Sequence, residues 1–336
     1  MPGSLHWPPP PFQQRWPWIG PDLQTIRDTV HPDRLPAERG VPWTVSLPAG
    51  GRLLLVEDRP APTQIIRAWV LLVHGLGGSS GRPGVRRLAL TLQEQGFGVW
   101  RLNLRGAGEG RRLATGTYAA ACNSDLLPVL AAARLRAAGL PLLGAGLSLG
   151  GTVLLNALLE QPDGLDALAC VSSPLDLDAC GRQIDAPRNR LYQKVLLRGL
   201  IRQTLADRQA GSFAVPLRSL RSIRQFDAAV TAPRWGHPTV DHYYRQASPL
   251  PALLSGVALP ATLLVHALDD PWVPAASVLT LRKQAPPWLT LCLPSHGGHN
   301  GFHAVARGAQ GGKASWADRW VAGWLKALST AAAEPC

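Results

Sequence analysis

The feature that most constrains this chain is an apolar run, a glycine-flanked serine and an apolar helical pattern in immediate succession. Leu140–Gly146 reads as a strand, Gly146-Leu147-Ser148-Leu149-Gly150-Gly151 as a tight turn, and Leu149–Glu160 as a helix. A strand that enters a helix through so short a turn has no room for side chains at the crossing, which gives the glycines a steric purpose. A serine at the apex is held in a strained conformation with its hydroxyl exposed above a sheet. The helix behind it contributes N–H groups and the positive end of its dipole.

The same alternation runs through most of the sequence. Trp43–Leu47 and Arg52–Asp58 read as two short strands joined by Pro48-Ala49-Gly50-Gly51. Arg67–Val73, Gly98–Leu104, Leu140–Gly146 and Leu165–Ser172 read as strands, with helical spacing at Val85–Gln95, Asp125–Ala138 and Leu149–Glu160. The rhythm stops near Pro174 and resumes with Ala261–His266, a helix at Ala275–Gln284, a strand at Leu289–Leu293 and a last helix at about Trp316–Ala332. Strand–helix alternation predicts βαβ units and a mostly parallel sheet flanked by helices, the α/β class. The expected organisation is a Pro/Trp-rich segment over 1–40, with Trp7, Trp16 and Trp18 packing on the body. Core follows over 41–174, a basic helical insertion over 175–248, and the rest of the core over 249–332.

Composition sets the outer limits. The 336 residues are 46% hydrophobic and 17% charged, enough apolar material for a large core and too little charge for a mainly disordered chain. The net charge of +12 comes from 34 bases against 22 acids, and all but four of the bases are arginine. An Arg-, Ala-, Gly- and Pro-rich composition is the plain explanation. Nucleic-acid binding is set aside, because no zinc-finger spacing, RNP-type motif or basic heptad region is present. In the insertion, Arg182, Arg188, Arg190, Lys194, Arg198, Arg202 and Arg208 make a basic face that either meets solvent or lies on an anionic membrane surface, the solvated face being the plainer reading. The cysteines, Cys122, Cys170, Cys180, Cys292 and Cys336, are scattered and lack a C-x-x-C pair, so neither a disulfide framework nor a metal site is expected. No secretory signal and no spanning run of ~18 apolar residues is visible, and a cytoplasmic protein is the expectation. Oligomeric state leaves no trace in the sequence.

A nucleophilic serine needs a base, and the base needs an orienting acid. Both are sought after later strands. Behind Ala261–His266 comes Ala267-Leu268-Asp269-Asp270-Pro271-Trp272-Val273-Pro274, where Asp270 is preferred and Asp269 competes, its alternative role being to cap the turn. Behind the last strand comes Ser295-His296-Gly297-Gly298-His299-Asn300-Gly301-Phe302, where His299 is preferred as base and His296 is second. His6, His31, His237, His242, His266 and His303 have no supporting context. Upstream, Leu71-Leu72-Val73-His74-Gly75-Leu76-Gly77-Gly78 ends a strand in a glycine-rich loop. Such a loop gives one N–H to an oxyanion hole, here Leu76, with the second from Leu149. The His74 ring is read as orienting the loop rather than reacting.

The chain order Ser148, Asp270, His299 is that of the α/β-hydrolases. More narrowly, the sequence resembles bacterial hydrolases of the YheT type, relatives of plant embryogenesis-associated proteins and animal abhydrolase-domain lipases. The resemblance rests on Gly20-Pro21-Asp22-Leu23-Gln24-Thr25-Ile26, His74-Gly75-Leu76-Gly77-Gly78-Ser79-Ser80, Asn103-Leu104-Arg105-Gly106, Ser173-Pro174-Leu175-Asp176-Leu177, Phe226-Asp227 and the two loops carrying Asp270 and His299. Asp22 replaces the family's histidine, Thr152 stands where asparagine is usual, and Gly106-Ala107-Gly108 lacks the usual cysteine or serine. The resemblance implies an α/β-hydrolase fold with a helical lid. It implies a carboxylic-ester hydrolase, a short-chain carboxylesterase or an acylglycerol lipase-like enzyme, with Ser148, Asp270 and His299 as triad. A small-molecule ester is the expected partner, and no cofactor is needed. A thioesterase, an acyltransferase or a non-catalytic ligand-binding protein is the alternative.

Overall fold

The computed structural model describes residues 11–207, 213, 215–305 and 314–331. Trp7, His6, Arg208, Lys313, Cys336 and the expected helix end at Ala332 therefore lie outside the described residues. Eight strands form one sheet in the order β1-β2-β4-β3-β5-β6-β7-β8. They are β1 (Val41–Ser46), β2 (Arg52–Asp58), β3 (Trp69–Val73), β4 (Gly98–Asn103), β5 (Leu142–Leu147), β6 (Ala167–Val171), β7 (Ala261–Val265) and β8 (Leu289–Cys292). β1 and β2 pair antiparallel, as does β2 with β4, and every pair from β4 to β8 is parallel.

Strands buried on both faces are apolar at successive positions because alternate side chains meet different helices. Along β3, Leu71 and Val73 join the core beneath α3 (Asn123–Arg136) and α4 (Leu149–Glu160). Val70 and Leu72 join the core beneath α2 (Pro83–Glu94) and α12 (Trp316–Ala331). Across the parallel pair β3–β4, Trp69 and Trp100 stack with ring centroids 4.2 Å apart, and Gly98 leaves the room Trp69 needs.

Between β6 and β7 the chain forms α5 (Leu177–Asp185), α6 (Arg190–Leu205), α7 (Ile223–Phe226), a π-helical turn (Asp227–Thr231), α8 (Ala232–Arg234), α9 (Val240–Ala247) and α10 (Leu250–Leu254). Side-chain caps start three of these helices, from Asp176, Ser222 and Thr239. Ile184, Leu197, Leu200, Ile223, Phe226 and Val230 give this segment a small core of its own. α1 (Pro21–Val30) precedes the sheet in sequence, and α11 (Ala276–Arg282) joins β7 to β8. Trp18 is partly buried, whereas Trp16 is 81% exposed and does not pack on the body.

The arginine-rich composition has an internal use. Arg105 is buried against Asp125 through two hydrogen bonds, Nε to Oδ2 at 2.7 Å and Nη2 to Oδ1 at 2.6 Å. Arg101 is buried between Asp58 and Glu38 and also donates to the Ser80 carbonyl. A buried ion pair is costly to break from one side, because the remaining charge stays desolvated. Asp125→Ala is therefore expected to lower stability by about 3–5 kcal/mol. Arg134→Met, which breaks the half-exposed pair with Asp166, should cost about 1 kcal/mol or less. Urea unfolding midpoints of the two variants would check the contrast.

Candidate active site

The turn between β5 and α4 is as tight as its sequence demands. A Cβ on Gly146 would lie 2.3 Å from the Gly151 nitrogen, and one on Gly150 would lie 2.2 Å from the Val73 carbonyl oxygen. Both obstacles are backbone, so neither can swing away. Ser148 sits at φ 51°, ψ −126°, a conformation L-residues seldom adopt. The parallel register of β3 and β5 carries the Gly75 loop to the same place, where a Cβ on Gly75 would stand 2.9 Å from the Ser148 Cβ.

His299 Nε2 lies 2.9 Å from the Ser148 Oγ, and His299 Nδ1 lies 2.9 Å from Asp270 Oδ2. Asp270 Oδ1 accepts from the backbone N–H groups of Trp272 (2.8 Å) and Val273 (3.0 Å), which fixes the carboxylate plane. Burial opposes ionisation of Asp270. Electrostatic attraction to the His299 imidazole and its hydrogen bond, helped by His266 and the Val273 N–H, outweigh it and hold the carboxyl below its ordinary range. An ionised Asp270 requires the proton on Nδ1 of His299 and leaves Nε2 as acceptor for the serine hydroxyl. Trp272 stacks on the imidazole at 4.4 Å and confines its plane.

The two candidates ranked second in sequence pair with each other. His296 Nδ1 lies 3.2 Å from Asp269 Oδ2, and the His296 side chain is 60% exposed. Asp269 also accepts from the Gly298 N–H at 2.9 Å, so it braces the loop that carries His299.

Leu149 is the first residue of α4, where a helix offers an N–H without an intrahelical acceptor. Leu76 lies in the loop after β3. Among the described residues neither N–H has a hydrogen-bond acceptor, and both residues line the same cavity as Ser148. The loop around Leu76 is pinned on both sides. His74 Nε2 accepts from the Leu104 N–H, so its proton resides on Nδ1 and is donated to the Gly75 carbonyl at 2.8 Å. Burial pushes the His74 pKa down to about 4, which keeps the ring neutral. The Tyr118 hydroxyl accepts from the Gly77 N–H at 2.7 Å.

Several supports carried no usable local signal. Thr25 Oγ1 in α1 accepts from the His299 N–H at 2.9 Å while donating to the Pro21 carbonyl at 2.7 Å. Gln24 is fully buried. Its Oε1 accepts from the His303 N–H, and its Nε2 donates to the carbonyls of His303 and Trp18. Gly298 and Gly301 let the loop pass against α1, since a Cβ on either would strike α1 backbone at 2.4 Å. The departures from the family pattern also acquire places. Asp22 accepts from Arg188 (3.0 Å) and from the Tyr192 hydroxyl (2.9 Å), joining α1 to the helical segment. Thr152 donates to the Pro174 carbonyl at 2.7 Å, where the chain leaves the sheet for that segment.

Above Ser148 opens a cavity of about 940 Å³. Leu177, Ile184, Leu196, Leu200, Ile223 and Phe226 line it from the helical segment. Among the described residues no group of three metal-ligating side chains is found. No helix among them is long and apolar enough to cross a membrane.

Comparison with known proteins agrees with this architecture. The Hydrolase_4 family model, described as serine aminopeptidase S33, matches residues 64–303. The chain is 32% identical over 255 residues to YheT of Escherichia coli (strain K12), assigned as an esterase, covering 73% of each chain. It is 30% identical over 243 residues to the human phospholipase ABHD3, covering 70% of this chain and 59% of that longer protein. Est1E from Butyrivibrio proteoclasticus with bound ferulic acid shares the fold at a TM-score of 0.55 and 16% identity, over 86% of this chain and 98% of that one. The chain belongs to the Hydrolase_4 family of the α/β-hydrolase superfamily and, within it, to the YheT-type ester hydrolases.

Proposed function

We propose that this ester hydrolase works through Ser148 as nucleophile, His299 as general base and acid, and Asp270 as the group that orients and stabilises the imidazole. The observation that carries the reading is the series Asp270–His299–Ser148, with two 2.9 Å contacts, at the floor of an apolar cavity. In the first half-reaction His299 Nε2 takes the hydroxyl proton as Ser148 Oγ attacks the ester carbonyl. The carbonyl oxygen becomes an oxyanion held by the N–H groups of Leu76 and Leu149, each such donor being worth about 3–4 kcal/mol of barrier. The tetrahedral intermediate collapses, the proton passes from His299 to the leaving alcohol, and an acyl-enzyme remains. Water then attacks the acyl carbon, gives its proton to His299, and the carboxylic acid leaves as Ser148 recovers its proton.

The cavity argues for the acyl group. Its volume lies near the upper end of the ~300–1,000 Å³ range of small-ligand sites. Its wall on the helical side is aliphatic and aromatic, which favours a medium or long acyl chain over acetyl. The helical segment then acts as a lid that supplies the acyl pocket.

Ser148→Ala should abolish turnover of p-nitrophenyl esters and labelling by a fluorophosphonate while leaving the melting temperature within a few degrees. Asp270→Asn should keep the fold but lower kcat by about 10⁴-fold, because the imidazole is then held in the wrong tautomer. Across acetyl to palmitoyl esters, kcat/KM should rise to an optimum at octanoyl or longer. An acetyl optimum would overturn the assignment of the cavity. Thr25→Val removes the acceptor of the His299 N–H. It should lower kcat about tenfold with KM little changed, and Thr25→Ser should restore most of the loss, as stopped assays on one ester would show.

A further inference from the structure

The cavity mouth is flanked by two helices whose outward faces share one character. On α6 successive residues turn by about 100°. Leu191, Tyr192, Val195, Leu196, Gly199 and Leu200 line the cavity. The same turn places Arg190, Lys194 and Arg198 along one ridge and Leu191 and Val195 along the next, between that ridge and the opening. All five are exposed, Leu191 at 73% and Val195 at 60%. Among the described residues none of the three cations has an acidic partner within ion-pair distance.

Across the opening, Leu23, Ile26 and Val30 follow one another at helical spacing on α1. Ile26 and Val30 line the cavity, and Val30 is 59% exposed. The two helices are tied together at Asp22, which takes Arg188 and Tyr192. An interior core cannot account for these apolar side chains, because they face out at the rim while a separate set fills the inside. The charge is asymmetric in the same sense. Residues 175–248 hold twelve Arg and Lys against six Asp and Glu, which is half of the chain's net +12 in under a quarter of its length.

We propose that this rim is a docking surface for an anionic lipid bilayer, and that the ester enters the cavity directly from the lipid phase. Leu23, Val30, Leu191 and Val195 enter the headgroup–acyl boundary, and Arg190, Lys194 and Arg198 meet the anionic headgroups beside them. An exposed apolar edge bordered by cations is the pattern by which a helix lies in a membrane interface. Leu191 and Val195 belong both to that edge and to the cavity wall, so an acyl chain leaving the bilayer passes from lipid to protein without crossing water. The proposal rests on the cavity being the substrate site, but the docking itself is independent of turnover.

The test is flotation of the full chain carrying Ser148→Ala with two vesicle types, phosphatidylcholine alone and a mixture with about one-third phosphatidylglycerol. Removing the serine hydroxyl keeps hydrolysis from altering the vesicles, so a failure to bind is distinct from a failure of the esterase reading. Binding is expected to the mixed vesicles, at least tenfold above the neutral ones, and to weaken with salt. Each cation near an anionic surface contributes about fivefold, so Arg190→Gln, Lys194→Gln and Arg198→Gln together should weaken binding by about a hundredfold. The same triple change in the otherwise wild-type chain should leave kcat and KM for a water-soluble p-nitrophenyl ester within twofold. Val30→Asp should weaken vesicle binding with no loss of the melting transition. Binding to neither vesicle type, equal binding to both, or binding unchanged by the triple substitution would overturn the proposal.

Discussion

Everything at this site depends on how closely three stretches of backbone approach one another where β5 turns into α4. Gly146 and Gly150 stand against the backbone of Gly151 and Val73 at distances that admit no side chain, and Ser148 is forced through a positive φ. The strain is sustained by surroundings that are themselves fixed. The β5 register is set by β3 and β6, and the Ser148 N–H is held by the Val171 carbonyl. The loop carrying Leu76 meets the same crossing through Gly75. A shift of one strand would therefore move Ser148 and the N–H groups of Leu76 and Leu149 together, so sheet stability and site geometry are one problem here.

The sheet, the alternation of strands and helices along the chain, and the juxtaposition of Ser148, Asp270 and His299 were legible because each has a local signature. Period and turn chemistry mark the strands, and glycine spacing marks the crossing. Sequence prefers Asp270 to Asp269 and His299 to His296, although both members of each pair sit in the same loop. The structure separates them by pairing Asp269 with His296 at the surface and Asp270 with His299 inside. Thr25 and Gln24 were visible only as part of a motif, because their partners lie 274 and 279 residues away and no local pattern encodes such a contact. Trp272 lies in the loop after β7, and its stacking on His299 follows from that loop packing against the loop after β8, which no local pattern encodes. Trp16 departs from the expected packing on the body, since its ring faces solvent.

Charge tells a similar story at a larger scale. A composition rich in arginine says nothing about where the arginines go. In the body of the protein Arg87, Arg101 and Arg105 are consumed in buried pairs with aspartates, each guanidinium bridging elements distant in sequence. On α6, among the described residues, Arg190, Lys194 and Arg198 stand outward with no acidic partner within ion-pair distance. The same residue type serves as internal staple in one place and as surface field in another, and the difference is set by whether an acid waits across the packing interface.

The contact between α1 and the histidine loop has a consequence for the order of events during synthesis. Thr25 leaves the ribosome 274 residues before its partner His299, and Gln24 leaves 279 residues before His303. Strands β1 to β7, the turn carrying Ser148 and the helical segment between β6 and β7 can all be in place before His299 reaches its seat on Thr25. The seat of His299 is therefore laid down early in synthesis and filled late, so the site closes through a contact between parts of the chain far apart in sequence.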